Sequence, residues 1–393
     1  MTRRLAPGAW CWFADPRAIH HAGAHRRTFV GWIDREGSIQ VFSHDHDSRQ
    51  EVVTRLHRRL QVDDHDNPAL IVRPDGHLLA FYSKHSGSAM YYRRSVKPED
   101  VSAWGPERRL PDNTNGERGF TYPNPVQLAA EEDRLYLFWR GANWNPAYAT
   151  RDSGDGAGWS NARTMIRVPD ERPYVKVVSD GDATIHFAFT DGHPRNVLTG
   201  IYHAVYRDGQ FRRSDGSPIR AIGSGPITPA QATRVYDPNP SGVRAWIHDI
   251  ALDAAGVPLM VFAVLHSPAD HRYVYARWSG TGWVRHPIVN AGGTIAGDGA
   301  EVHYSGGITF DHDDPRRVLL SREIGGVHEV ERWETNDGGA SWQHAAVTSG
   351  SSRPNVRPIA ARGRTDDAFD VLWMRGRYTN YRDYGTSIMT TDA

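Results

Sequence analysis

Short apolar runs alternate with tight polar turns along the whole chain. Asn67 to Arg73 reads NPALIVR, Pro74-Asp75-Gly76 is turn chemistry, and His77 to Tyr82 reads HLLAFY. The same strand–turn–strand figure recurs at Pro125 to Leu128 with Leu135 to Trp139, and at Tyr174 to Val178 with Thr184 to Thr190. It returns at Asp249 to Leu252 with Pro258 to Val264, and at Gly307 to Phe310 with Arg317 to Ser321. The last copy pairs Pro358 to Ala361 with Phe369 to Met374 across a turn at Arg362 to Asp366. Thr28 to Trp32 with Ser38 to Phe42 reads as the first hairpin. A further stretch with Trp, Tyr or Arg follows each pair, and no convincing amphipathic helix breaks the series.

Seven such units give a period of roughly 56 residues, the signature of a propeller with four strands per blade. The expected architecture is therefore all-β: a single seven-bladed β-propeller of four-stranded antiparallel blades spanning residues 1–393. Thr335-Asn-Asp337-Gly-Gly339-Ala-Ser341-Trp342 fits S/T-x-D-x-G-x-S/T-W, and so resembles the Asp box of sialidase-type propellers. The box is a hairpin turn in which Asp caps backbone N–H groups and Trp packs between strands, so it marks architecture rather than catalysis.

Composition adjusts this picture. The 38 Gly and 24 Pro supply the turns. Cys11 is the lone cysteine, which excludes an internal disulfide and a cysteine-built zinc site. Basic and acidic residues balance at 46 each, so no charge excess points to nucleic acid or an anionic membrane. Only Lys84, Lys97 and Lys176 are lysines; the other basic residues are arginines, whose planar forks suit carboxylates or sulfates. No run of about 18 apolar residues offers a membrane span. Met1 to Gly8 lacks a signal peptide's apolar region, so the expected location is cytoplasmic if the chain is complete and secreted if its N-terminus was trimmed.

In a propeller, residues just before an innermost strand and just after the next one share one mouth of the central funnel. His65, in Asp63-Asp64-His65-Asp66-Asn67-Pro68, and His85, in Ser83-Lys84-His85, are equidistant from Asp75 in the turn, so antiparallel pairing sets them side by side. They could serve as base and electrophile or as metal ligands. Tyr122 and Arg140 are likewise equidistant from Glu131, and Arg140 is placed to fork onto a carboxylate. Tyr174, His193 and Arg195 open and close the following blade as substrate-contact candidates. Trp246-Ile-His248-Asp249, Glu301-Val-His303-Tyr304 and Arg353-Pro-Asn355-Val-Arg357 could complete the funnel or ring an ion. His20, His21 and His25, and His44 and His46, resemble metal tracts but read as exposed hairpin loops.

The His65/His85 context (DDHDNPAL, FYSKHSG), Tyr122 with Arg140, the opening Trp10-x-Trp12-Phe13-x-Asp15-Pro16-Arg17 and Val302-His303-Tyr304-Ser305-Gly306-Gly307 together resemble the seven-bladed propeller polysaccharide lyases of the ulvan and rhamnosyl-glucuronate lyase type, BNR/Asp-box repeat proteins. The resemblance implies β-elimination at C4 of a uronic acid linked to L-rhamnose. Arg140 would neutralise the uronate carboxylate, which acidifies the C5 proton. Tyr122 and one histidine would share the acid and base steps, the other histidine supporting the carboxylate. Tyr174, His193 and Arg195 would contact the flanking sugar. No organic cofactor is implied; some relatives hold a structural metal ion, calcium or zinc, for which no ligand set is assigned here. The partner is an acidic poly- or oligosaccharide, with no nucleic acid or membrane, and the expected state is a monomer. The alternatives are a propeller hydrolase and a non-catalytic carbohydrate-binding propeller. The hydrolase would be an α-L-rhamnosidase, or a sialidase conscripting Arg17, Arg140 and Arg195.

Overall fold

The computed structural model describes residues 2–116, 119–153, 158–364 and 369–391. Its strands form seven antiparallel sheets in chain order around one axis, the seven-bladed propeller expected. The innermost strands are Ala18–Ala22, Ala69–Val72, Thr121–Leu128, Val175–Ser179, Arg244–Leu252, Ile308–Phe310 and Asn355–Ile359. Six blades have four strands. The fourth departs, with six, because Pro218–Ala221 adds an edge strand beside Gln210–Arg212 and Thr233–Tyr236 returns to pair with Ile201–Arg207. The turn expected at Arg362 to Asp366 extends into residues 365–368, outside the described ones. The Asp box bends between Val327–Glu334 and Gln343–Ala346. Asp337 there accepts from the Ser341 amide (2.9 Å) and hydroxyl (2.6 Å), and Trp342 packs edge-on against Tyr275 of the blade before.

The ring closes through the start of the chain. Thr2–Pro7 pairs with Asp383–Thr391 as the outer strand of the seventh blade. The chain then enters the centre: Trp10 to Ala14 is almost wholly buried and plugs the axis. Inner strands hold the plug by its backbone. Asn67 Oδ1 accepts from the Cys11 amide (2.9 Å), Asn124 Nδ2 donates to the Phe13 carbonyl (2.8 Å), and Lys176 Nζ donates to the Trp12 carbonyl (2.6 Å). The Trp10 indole donates to the Arg357 carbonyl (3.0 Å). A buried amide needs a partner, so Asn67→Ala, which orphans the Cys11 N–H, should cost about 1–3 kcal/mol. Denaturant unfolding measures this loss.

The first blade begins after the plug. Its innermost strand is Ala18–Ala22, paired with Arg26–Ile33, so the hairpin read as the first supplies the second and third strands. His20 and His21 therefore lie in a strand rather than in an exposed loop. His20 is 3% exposed and bonds through Thr28 to His46, while His44 lies in Ile39–Asp45. His25 alone of that tract sits in an exposed turn. Among the described residues no helix is long and apolar enough to cross a membrane.

Candidate active site

The two ends of the axis differ. The turns that follow the inner strands surround a 1420 Å³ cavity, lined by Asp180, Asp253, Asp314 and His312 among others. Most of its carboxylates are already spent. Asp180 accepts the amides of Asp182, Ala183 and Thr184, Asp253 those of Ala255 and Val257, and Asp314 pairs with Arg316. This cavity is thus a frame of capped turns. The acid–base residues gather at the other mouth, where the inner strands begin.

Asp63 organises that mouth. It caps the short 3-10 turn Asp64–Asp66 by accepting the His65 amide (3.0 Å). Its Oδ1 also lies 2.6 Å from His65 Nδ1, and its Oδ2 3.0 Å from His85 Nδ1. The two imidazoles stack with centroids 4.1 Å apart and planes 7° from parallel. With Asp63 ionised, both rings donate Nδ1–H to it and turn Nε2 away. Burial raises the Asp63 pKa, but the His65 charge and the histidine hydrogen bonds outweigh it and hold it well below the usual carboxylate range.

Stacking splits the histidines. Burial opposes charge on His65, yet the Asp63 carboxylate and the bonds to Asp63 and Asp64 hold its pKa well above the ordinary value. Burial, then the charge of His65, then Arg140 push His85 down to about 4. One ring is cationic and the other neutral at neutral pH, the separation of roles that acid–base work requires.

Tyr122 meets them from the next blade, its ring 5.3 Å from His65. The strand is bulged there. Thr121, rather than Tyr122, pairs with Arg140, and Tyr122 takes a left-handed φ of 61°, uncommon for an aromatic residue. The bulge re-aims the ring over the Arg140 guanidinium, 4.7 Å from its centroid. Burial keeps the phenol protonated, its pKa well above the ordinary value.

Arg140 is 3% exposed. Its Nη1 donates to the Tyr174 hydroxyl (3.2 Å), Nη2 reaches Thr121 Oγ1 (3.5 Å), and Nε has no partner. The other cations buried in the funnel have carboxylates: Arg17 and Lys176 pair with Asp15, and Arg357 with Asp64. Among the described residues Arg140 has neutral partners only. A buried charge without a counterion is costly, so this fork could take an anion from outside.

The flanking candidates divide. Tyr174 belongs to the cluster through Arg140. His193, 2% exposed, packs beside Tyr174 (5.5 Å) and Trp246 (4.7 Å), and its Nδ1 accepts from the Arg195 amide (3.0 Å). Burial and neighbouring arginines keep it neutral. Arg195 stands at the rim, 2.7 Å from Glu301, a carboxylate whose pKa burial raises. Arg17 faces the turn mouth beside Thr309 and His312, so no triad of Arg17, Arg140 and Arg195 assembles. His248 stacks on Trp12 of the plug (5.3 Å), and Arg357 is bound to Asp64.

Three contributors escaped the sequence reading. Phe13 of the plug floors the site under Tyr122 (5.4 Å) and Tyr174 (4.7 Å). Cys11 packs beside Asp64 and His65. Tyr381, in the seventh-blade turn, stands edge-on against His65 (4.9 Å) and His85 (5.6 Å). Its carbonyl accepts the Asp64 amide (2.8 Å). The aromatic density of Tyr378 to Tyr384 is the one sequence signal for it.

Asp63 with His65 and His85, and Cys11 with Asp64 and His65, are close enough to share a metal ion. In the first group, however, both ring nitrogens are engaged by Asp63. In the second, Asp64 Oδ2 is taken by Arg357 and Tyr378. Asp63 with its two histidines fits carboxylate–histidine hydrogen bonding better than a metal shell, whereas in the second group Asp64 Oδ1 is buried without a hydrogen-bond partner among the described residues.

Comparison places this arrangement among known proteins. The chain is similar in structure to a PL25 ulvan lyase bound to -[GlcA(1-4)Rha3S]-, with a TM-score of 0.71 and 16% identity, over 98% of this chain and 93% of that one. It is also similar to the polysaccharide lyase Uly1, with a TM-score of 0.60 and 12% identity, over 96% and 90%. At such identities the likeness establishes a shared fold. No curated protein matches the chain by sequence. The family model for BNR repeat-containing proteins matches residues 27–291, most of the chain, and the protein belongs to that BNR repeat-containing family.

Proposed function

We propose that the protein is a polysaccharide lyase that cleaves at C4 of a uronic acid joined to L-rhamnose by β-elimination. The observation that carries this reading is Arg140: a buried guanidinium with no counterion among the described residues, set against a neutral histidine, a cationic histidine and a protonated tyrosine.

The chemistry follows from those states. The uronate carboxylate lies on Arg140, with the His65 charge beside it, and its neutralisation acidifies C5–H. Neutral His85 takes that proton through Nε2. The C5 electron pair forms the C4–C5 double bond as the C4–O4 bond breaks. Tyr122 gives its proton to O4, and the phenolate regains one from His85. No water is consumed, and the product is an unsaturated uronate. Tyr174 and His193 line the flanking sugar's place. The ligand of the ulvan lyase neighbour, alternating glucuronate and rhamnose, is of the same kind.

The test compares native and carboxyl-reduced rhamnose–glucuronate polysaccharide, following ultraviolet absorbance of the product. Wild-type protein should act on the native polymer alone. Arg140→Ala should lower that rate by roughly 10²–10³-fold, the cost of losing one preorganised charge partner. Equal rates on native and reduced polymers would remove Arg140 from its role.

A further inference from the structure

A second group of arginines lies far from this mouth, on the flank between the second and third blades. A groove of 400 Å³ there is lined by Arg73, Arg93, Arg94, Arg108 and Arg151 against two carboxylates, Asp75 and Asp152. It opens toward the turn end of the blades. Arg73 and Asp75 sit in the turn after Ala69–Val72, and Arg94 stands opposite Leu79 at the same end.

Both carboxylates are already engaged. Asp75 Oδ2 accepts from Arg94 Nη2 (2.7 Å), and Asp152 Oδ1 from Arg134 Nε of the third blade (2.9 Å). Arg73 Nη1 has neutral acceptors, Gln127 Oε1 (2.7 Å) and the Asp133 carbonyl (3.3 Å). Arg93 borders the groove, but it stands opposite Ala80 and its side chain bonds the Tyr82 hydroxyl on the other face of the strand, so it is not one of the groove's forks. Among the described residues Arg73 and Arg108 have no carboxylate within ion-pair distance, and the ion pairs of this groove involve Arg94 and Arg134 instead. Holding these cations together has a cost: burial first, then Asp75 and Asp133 against Arg151 and Arg94, leave Arg73 with a lowered pKa. The rest of the lining is Leu79, Tyr92, Pro106 and Leu135. Forks above an apolar and aromatic floor match a sugar that presents C–H groups on one face and an acid at its edge.

We infer that this groove is a second, non-catalytic site for an acidic saccharide, which holds a polymer at the flank while the funnel works on another stretch. The inference rests on the acidic-polysaccharide reading above. A saccharide is favoured over nucleic acid because the chain's net charge is zero and the patch is one short groove with an apolar floor.

The test is affinity electrophoresis of His85→Ala protein through gels containing an unsulfated glucuronate polysaccharide at low ionic strength. Adding Arg73→Ala and Arg108→Ala should weaken retardation about tenfold or more, two charge-assisted bonds being lost. On the active background the same pair should raise KM for polymer and leave kcat on short oligosaccharides unchanged. If the pair fails to fold, exposed Arg108→Glu alone should still weaken retardation. Retardation equal to the parent's, persistence on carboxyl-reduced polymer, or equal competition by duplex DNA would each overturn the inference. Because binding is read in an inactive variant, groove-dependent retardation without any unsaturated product in the wild type would reject the lyase reading and leave the groove standing.

Discussion

His85→Ala should reduce turnover on a uronate polysaccharide by roughly 10²–10⁴-fold, the contribution of a positioned general base. The fold should survive, because His85 sits in a loop after Leu78–Ser83 with its side chain 20% exposed. Melting curves of variant and wild type should therefore nearly coincide. Tyr122→Phe should give a loss of the same order by removing the proton for O4. The pH profile separates base from bystander. With His85 held at about 4, the neutral form persists down to mildly acidic pH. The wild-type kcat/KM should stay level through neutral pH and fall as pH drops through about 4, where His85 becomes charged. An acid limb near the ordinary histidine value would mean that His65 does not suppress charge on its neighbour.

The second large effect falls on stability. Arg357 is 1% exposed, and its Nη1 donates to Asp64 Oδ2 (2.6 Å) and to the Trp10 carbonyl (2.7 Å). Its Nη2 donates to the Tyr378 hydroxyl (2.7 Å), which donates in turn to Asp64 (2.5 Å). Arg357→Met removes the counterion and leaves Asp64 charged in the core, which should cost about 3–5 kcal/mol at neutral pH. The pH dependence has a definite sign. Burial raises the Asp64 pKa, but Arg357 together with the hydrogen bond and charge of His65 outweighs it and holds the value below 3.8 in the wild type. That contribution is present above the unfolded value and is lost as pH falls through the lower folded one. In the variant the largest depressing contribution is gone and only His65 opposes burial, so protonation of Asp64 relieves the cost more readily. The gap between the two proteins should be widest at neutral pH and narrow toward and below pH 3.8. Denaturant midpoints across pH measure it; a constant gap would mean that Arg357 acts through packing alone.

The sequence carried this site unevenly, for physical reasons. Hairpins are local, so a turn reveals which residues share a sheet end. Ala69 pairs with Phe81 and Val72 with Leu78, symmetric about Asp75, so the symmetry extends outward to His65 and His85. The same logic placed Tyr122 near Arg140 but missed the bulge that shifts the register by one. What stayed hidden depends on distant pairing. Nothing local in Thr2–Pro7 marks it as the partner of Asp383–Thr391. Nor does WCWF announce an axial plug, although that plug supplies the floor of the site and displaces the first blade's inner strand to Ala18–Ala22. The part of Asp63 was concealed by its neighbours: in DDHD, the sequence does not say which carboxylate caps the turn, which bridges two imidazoles and which meets Arg357.

The central claim is elimination at a uronate, and one measurement addresses it most directly. A rhamnose–glucuronate polysaccharide is incubated with the protein while ultraviolet absorbance of the unsaturated uronate and new reducing ends are followed together. The account predicts that both rise in step, one double bond for each chain end. New reducing ends without that absorbance would mean that water, rather than loss of the C5 proton, had broken the bond, and would contradict it.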